Sequence, residues 1–307
     1  MSDQPLVSVI IPAYKARDYL RKCLQSIEEN LSVPHEVIVV EDAGRDGTVD
    51  MVRLEFPHVV LLENEQNLGV IGARARGIEK ARASLLFFVD SDIELLPGVF
   101  EALHGELKSD ARIAYVTCNK RSVDGTHQRS AFAWPTLSGQ IRAMIPPIRT
   151  RDVLSAEAGH RQAFDPGWIS VGHSLMRLEA FKETGGFLKG VFFFGEDVDI
   201  CAKLRAKGWR VRFIPYLGFV HHGSISQVLE PNRFRVKSWL SSVILADLYW
   251  PRWQALVLRF LLFFRGLVVC GMQICRGQDV REILQALPKL LWPIPLTTNY
   301  RARDALG

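Results

Sequence analysis

The sequence predicts an α/β protein, a mostly parallel central sheet flanked by helices, with a helical C-terminal extension. Three observations predict it. Between residues 7 and 89 strand-like and helix-like segments alternate four times with short connections, which implies a parallel sheet covered on both faces. The run Leu85–Val89 is apolar throughout, as a strand buried on both sides must be. Beyond Ser226 the chain changes character and becomes two long, apolar, tryptophan-bearing stretches, residues 239–250 and 253–274.

The elements follow in order. Residues 6–12 are a β-branched first strand closed by Pro12, which cannot donate within a central ladder. Residues 18–29 carry Tyr19, Leu20, Cys23, Leu24 and Ile27 at helical spacing. The second strand, 36–40, ends in Glu41 and Asp42, and a turn rich in glycine and aspartate (43–48) leads into a helix over 49–56. A third strand at 59–62 is followed by the turn Asn67-Leu68-Gly69 and a helix over 70–83. The fourth strand runs into Asp90-Ser91-Asp92, and a helix (97–108) and a strand (113–118) come next.

Residues 119–164, with Pro146-Pro147 and scattered arginines, show no clean period and read as an excursion over the active face, in the manner of a lid. Order returns with a strand over 168–177, entered through Gly167, and a short helix over 178–184 closed by Gly185-Gly186. Phe192-Phe193-Phe194 leads through Gly195 to Glu196-Asp197-Val198-Asp199 and a helix at 200–207 stopped by Gly208. A last short strand, 211–214, precedes Pro215, and His221-His222-Gly223-Ser224 follows the apolar 217–220.

Composition excludes several classes. With 307 residues, 48% of them hydrophobic and 23% charged, the chain is globular and long enough for one large or two modest domains. The net charge of +5 is uneven: residues 228–307 carry eleven Lys/Arg against five Asp/Glu, a balance of +6, which leaves −1 for residues 1–227. That pattern excludes a nucleic-acid footprint over the first part and points the basic end toward something anionic. Five cysteines without Cys-x-x-Cys spacing suggest neither a zinc site nor a disulfide framework, and fit a reducing compartment. The apolar run at 6–11 is too short for a signal-peptide core, so no signal peptide is expected. No Gly-x-Gly-x-x-Gly follows the first strand, which excludes a dehydrogenase fingerprint. Pro12-Ala13-Tyr14-Lys15 is not the Gly-rich basic loop that a nucleotidyltransferase would want.

Three carboxylate clusters lie after apolar runs: Glu41/Asp42, Asp90/Asp92 and Glu196/Asp197/Asp199. In open α/β sheets ligands bind beyond the carboxyl ends of the strands, where Asp90 and Asp92 stand. Paired carboxylates there suit a hard divalent cation holding a diphosphate. Each cluster also has a plain reading, as a helix N-cap, a turn or a complement to a helix dipole.

Taken together these motifs resemble glycosyltransferase family 2, inverting enzymes of the GT-A fold, over residues 7 to about 226. The likeness rests on Val7-Ser8-Val9-Ile10-Ile11-Pro12-Ala13-Tyr14, Val39-Val40-Glu41-Asp42 with Asp46-Gly47-Thr48, Asn67-Leu68-Gly69 and Asp90-Ser91-Asp92. It continues with Gly185-Gly186-Phe187, Gly195-Glu196-Asp197-Val198-Asp199 and His221-His222-Gly223-Ser224-Ile225-Ser226. Bacterial cell-surface polysaccharide enzymes, rhamnosyltransferase-like members among them, are the nearest in kind. The resemblance implies a catalytic domain over 1–227, with a nucleotide-sugar half (about 1–118) and an acceptor half (about 119–227).

It implies that Pro12, Tyr14 and Asp42 line the nucleotide pocket, Asp42 accepting from the base, with Asn67, Gly69 and Arg74 on the same donor side. It implies a divalent cation, Mn2+ or Mg2+, held by Asp92 and less directly by Asp90, with His221 or His222 as a further ligand. Asp197 is implied as the general base, with Glu196 and Asp199 orienting the loop or an acceptor hydroxyl. Glu41 stands where an Asp is frequent. Arg74 and Arg76 have two readings, pairing with the diphosphate or an anionic sugar, or solvated helix charges. Trp168 is either a sugar-stacking platform or a core residue.

The expected function is metal-dependent inverting transfer of a sugar from a nucleotide-sugar to a hydroxyl of a glycan or lipid-linked glycan, at the inner face of the cell membrane. The alternatives are a polyprenyl-phosphate glycosyl synthase and a non-catalytic member of a glycan assembly complex. In residues 228–307, Arg259 and Arg265 interrupt the apolar run at 255–274 and argue against a simple span. Tryptophan and excess arginine point instead to interfacial attachment, with packing on the catalytic domain or on a second subunit as the other reading.

Overall fold

The computed structural model describes residues 4–144, 162–188, 195–223 and 231–292. Pro146-Pro147, the Phe192–Phe194 run and Ser224-Ile225-Ser226 of the sequence reading lie outside the described residues. In chain order the elements are β1 (Val7–Ala13), α1 (Arg17–Asn30), β2 (His35–Glu41), α2 (Thr48–Glu55), β3 (Val60–Glu63), α3 (Gly69–Lys80), β4 (Leu85–Val89) and β5 (Ile93–Leu95). Then come α4 (Val99–Ser109), β6 (Ile113–Ser122), β7 (His127–Gln128), β8 (Ala131–Phe132), α5 (Leu137–Met144), β9 (Trp168–Ile169), β10 (His173–Arg177) and α6 (Leu178–Glu183). The chain ends with α7 (Glu196–Ala206), β11 (Arg210–His221), α8 (Pro231–Tyr249), α9 (Arg252–Cys275) and α10 (Arg281–Leu291).

The main sheet has the order β3-β2-β1-β4-β10-β6-β11-β5, with β7 added on β6. β1 is parallel to β2 and β4, and β2 to β3, as the alternating sequence requires. β10 enters antiparallel between β4 and β6, and β5 is antiparallel to β11. The sheet is therefore mixed, parallel over β3-β2-β1-β4 and again between β6 and β11, and every side chain of β1 and β4 is buried. Phe87, at its centre, packs against Phe100 and Phe219. All five cysteines are free thiols, four of them buried.

Three departures from the sequence reading have physical causes. The single strand expected over 168–177 is two strands in different sheets, β9 pairing with β8 and β10 with β4, because the chain between them bends around the carboxylate of Asp90. The last strand, expected to stop at 214 before Pro215, runs on through the apolar 217–220 to His221 as one strand, β11. It absorbs the proline through register shifts between Ile214 and Phe219, since a bulge leaves a residue that needs no ladder donor. The patternless stretch after 118 continues as β6 to Ser122 and then forms β7, β8 and α5.

Two compact units result. One contains the sheet; the other contains α8, α9 and α10 together with 135–144, Leu188 and 195–199. The carboxylates at 196–199 fall in the unit with the helices. α8, α9 and α10 share a core of Trp239, Val243, Leu258, Leu262, Ile283 and Leu287. A Cβ at Gly266 would collide with Leu287 and crowd Trp239, so glycine sets the close approach of the helices there. Arg259 is only 3% exposed. Its guanidinium pairs with Asp247 and donates to the carbonyls of Leu290 (2.9 Å) and Trp292 (2.8 Å), which closes the C-terminal end of α10.

Candidate active site

The first group of site residues comes from the carboxyl ends of β1 and β2, where the loops are held in unusual backbone. Lys15, Ala43 and Arg45 all have φ between 51° and 59°, a region costly for residues with a Cβ and found where surrounding structure overrides it. Pro12 is buried and Tyr14 half-buried, with the Lys15 ammonium 5.2 Å from the Tyr14 ring centre.

Asp42 is 2% exposed, and its carboxylate accepts from Asn64 Nδ2 (2.7 Å), Leu68 N (2.8 Å) and Gly69 N (2.8 Å). It therefore anchors the start of α3, where free N–H groups and the helix dipole favour an anion. A contact to a nucleotide base would be a fourth bond on oxygens already engaged. Asn67 Oδ1 accepts from the same Gly69 N at 3.1 Å. Glu41 closes the neighbouring turn by accepting from the N–H groups of Ala43 and Gly44, and burial pushes its carboxyl above the usual range.

The second group lies where β4, β5, β10 and β11 meet. Arg74 is 3% exposed and donates to Asp90 Oδ1 at 2.6 Å, so it is a buried partner of Asp90 and not a solvated helix charge. Asp90 N–H donates to the Gly172 carbonyl at 2.8 Å, and a Cβ at Gly172 would fall inside the Asp90 carboxyl group. Gly172→Ala is expected to cost about 1–3 kcal/mol by overpacking and to displace the Asp90–Arg74 pair. A lowered melting temperature together with weakened donor binding, both against wild type, would show it.

Asp92 faces His221, with Oδ2 and Nε2 3.3 Å apart. The other imidazole nitrogen, Nδ1, lies 2.5 Å from Gln128 Oε1, and the Gln128 amide is oriented by Nε2 donating to Ser122 Oγ. Nδ1 then carries a hydrogen, and Nε2 faces a carboxylate oxygen, as a second N–H donor in the imidazolium or as a lone pair in the neutral ring. Two acceptors at that distance repel unless a proton or a cation lies between them. His222 points elsewhere, its Nε2 2.5 Å from Glu94 Oε1 and its ring edge-on to Tyr19. The structure thus separates the two histidines that the sequence could not. His173, in register with Val89 beside Asp90, is a buried imidazole whose pKa burial pushes well below the usual value, and it packs edge-on against Phe219.

Among the described residues no three His, Cys, Asp or Glu side chains converge tightly enough to hold a metal by themselves. The donor set of Asp92 and His221, one carboxylate oxygen and one correctly tautomerised nitrogen, nonetheless fits a divalent cation that takes its remaining ligands from a diphosphate and water.

The third group belongs to the helical unit. Glu196, Asp197 and Asp199 occupy the first turn of α7, with Glu196 5% and Asp199 0% exposed and Asp197 half-buried. Tyr249 Oη of α8 donates to Asp199 Oδ1 at 2.6 Å, and Leu245 lies against Gly195. Trp168, in the sheet unit, stacks on Phe132 with ring centres 4.0 Å apart. Gln128, Gly172, Glu94 and Tyr249 were not singled out from sequence. Only Gly172, a glycine within a strand-like run, carried a signal that could have found it.

Comparison with known proteins decides the class. The family model for glycosyl transferase family 2 matches residues 8–168. The chain belongs to that family. This glycosyltransferase is 37% identical to the uncharacterized Escherichia coli glycosyltransferase YibD, over 74% of this chain and 65% of the relative. It is 27% identical to the N-acetylglucosaminyl-diphospho-decaprenol L-rhamnosyltransferase of Mycobacterium tuberculosis, over 81% of this chain and 87% of the relative. Its fold is GT-A. The crystal structure of GalNAc-T7 with UDP, GalNAc and Mn2+ superposes with a TM-score of 0.58 at 17% identity, over 83% of this chain. That of Staphylococcus aureus TarS superposes with 0.51 at 18% identity, over 78%. The glycosyltransferase spans 50% and 42% of those two chains.

Proposed function

We propose that this glycosyltransferase moves a sugar from a nucleotide-sugar to a hydroxyl of a glycan or lipid-linked glycan, with inversion and with a divalent cation, in the synthesis of a cell-surface polysaccharide. The observation that carries the metal-dependent part is the Asp92–His221 pair, a carboxylate oxygen and an imidazole nitrogen that face each other at 3.3 Å and can share a cation. The likeness to the Mycobacterium N-acetylglucosaminyl-diphospho-decaprenol L-rhamnosyltransferase supports a lipid-linked acceptor. The fold neighbour crystallised with UDP and Mn2+ supports the donor and the ion.

In this mechanism Pro12 and Tyr14 border the nucleotide, and Asp42 and Asn67 hold the turn at Gly69 that starts α3. Arg74 fixes the Asp90 carboxylate, and Gln128 fixes the His221 tautomer. When bound through Asp92 and His221, a divalent cation supplies Lewis-acid stabilisation of the charge that builds on the leaving diphosphate. Asp197 accepts the proton of the acceptor hydroxyl as its oxygen forms the new bond to the anomeric carbon, opposite the bond that breaks. Glu196 and Asp199 shape the turn that carries it, Asp199 held by Tyr249.

The test is nucleoside diphosphate release from a panel of nucleotide-sugars with Mn2+, Mg2+ or EDTA. Turnover of one donor that stops in EDTA and returns with the ion is the expected result. Turnover unaffected by EDTA overturns the metal-dependent reading. Configuration of the product sugar, read by NMR, tests inversion.

A further inference from the structure

Helix α9 is built inside out. Its inner face, toward α8 and α10, holds the buried Arg259, while its outer face is apolar. From Trp253 through Leu256, Phe260, Phe264 and Val268 to Met272, the outer residues recur at helical spacing and are each 50–61% exposed. Nineteen residues separate the ends of that stripe, about 28 Å at the usual helical rise. Contiguous apolar surface of this extent marks an interaction site.

The fringe of the stripe is basic. At 100° per residue, Arg252 and Arg265 fall on its opposite flanks. Arg265 feels the like charge of Arg235 from α8, and neither is in an ion pair among the described residues. Residues 231–292 carry nine Lys/Arg against three Asp/Glu. Two of those acids are already paired, Asp247 with Arg259 and Asp279 with Arg281, so the charge left for a partner is positive.

We propose that the outer face of α9 lies on an anionic lipid surface, its phenylalanines and Trp253 among the acyl chains and Arg252 and Arg265 at the phosphates. By length and composition α9 could cross a bilayer, but about a third of its apolar window is buried in the bundle. Its neighbours α8 and α10 carry Arg233, Lys237 and Glu282, so the helix lies along the surface and does not pass through it. A second copy of this chain is the poorer occupant. Arg265 is near the middle of α9, so two-fold pairing through the stripe would bring two Arg265 side chains together with no carboxylate on the face.

The test uses the full chain and vesicles of phosphatidylcholine, alone or mixed with phosphatidylglycerol, read by co-sedimentation. Binding to the mixed vesicles that weakens with salt is expected. Phe260→Asp combined with Phe264→Asp is expected to lower partitioning by about tenfold or more, and Arg265→Glu to weaken it on mixed vesicles only. Both phenylalanines are more than half exposed, so unchanged circular dichroism and melting are expected of the double variant. A wild-type chain that stays in the supernatant with both vesicles overturns the proposal. So does a salt-resistant dimer in sedimentation equilibrium that the double variant dissolves and mixed vesicles do not compete with. The readout is binding, so it stands or falls apart from the proposed transfer reaction.

Discussion

Asp197→Asn is expected to slow sugar transfer by about 10²–10⁴-fold, the usual contribution of a positioned general base, while leaving donor binding within a few-fold of wild type. The substitution keeps the shape of the side chain and removes its basicity. Asp197 lies in the first turn of α7 beside Glu196 and Asp199, and an unchanged melting temperature would show that the amide leaves that turn folded. An uncatalysed acceptor hydroxyl holds its proton far too tightly to attack a sugar carbon at neutral pH, so the loss should appear in turnover at saturating acceptor. Steady-state kcat, with donor affinity from calorimetry, separates the two effects. Turnover within a few-fold of wild type would mean that the acceptor needs no base, as a phosphate acceptor would not, and the reading of Asp197 would fail.

Asp92→Ala is expected to reduce turnover by roughly 10³-fold, the equivalent of several kcal/mol of charge stabilisation on the leaving group. Asp92 is the carboxylate that faces His221, whereas Asp90 is committed to Arg74. Gln128→Leu tests the same site from behind. It removes the acceptor that keeps the hydrogen on Nδ1 of His221, and it should weaken Mn2+ binding about 10–100-fold without touching a ligand. Manganese titration followed by electron paramagnetic resonance measures both. His222→Ala, whose imidazole is engaged by Glu94, should leave the Mn2+ affinity near wild type.

The catalytic sheet was legible because buried parallel strands write themselves as unbroken β-branched and aromatic runs. β1, β2 and β4 lie within one or two residues of where those runs put them. β10 was harder, since an antiparallel strand inserted between β4 and β6 leaves no trace in local periodicity. Asp90 and Asp92 drew attention because an apolar run ends at them, and His221 and His222 through the family resemblance. Their partners could not be named: Arg74 pairs with Asp90 from sixteen residues upstream, and Gln128 reaches His221 from ninety-three residues away. Arg259 had a partner that its sequence position could not show. In sequence it interrupts an apolar stretch, but its charge is consumed inside the bundle by Asp247 and two carbonyls, so it says nothing about the outer face.

The hydrogen bond from Tyr249 to Asp199 bears on what the smallest working version of this enzyme could be. The family match ends at residue 168, and the sheet is complete at His221, so trimming the chain there would keep every strand. It would also remove Tyr249 and Leu245, and with them the hydroxyl on Asp199 and the wall beside Gly195. Such a shortened chain would retain the donor-side residues of the sheet while the turn that carries Asp197 lost its template. The helices beyond the sheet thus also hold the turn that carries Asp197, and a cut at His221 would remove that support along with the outer face of α9.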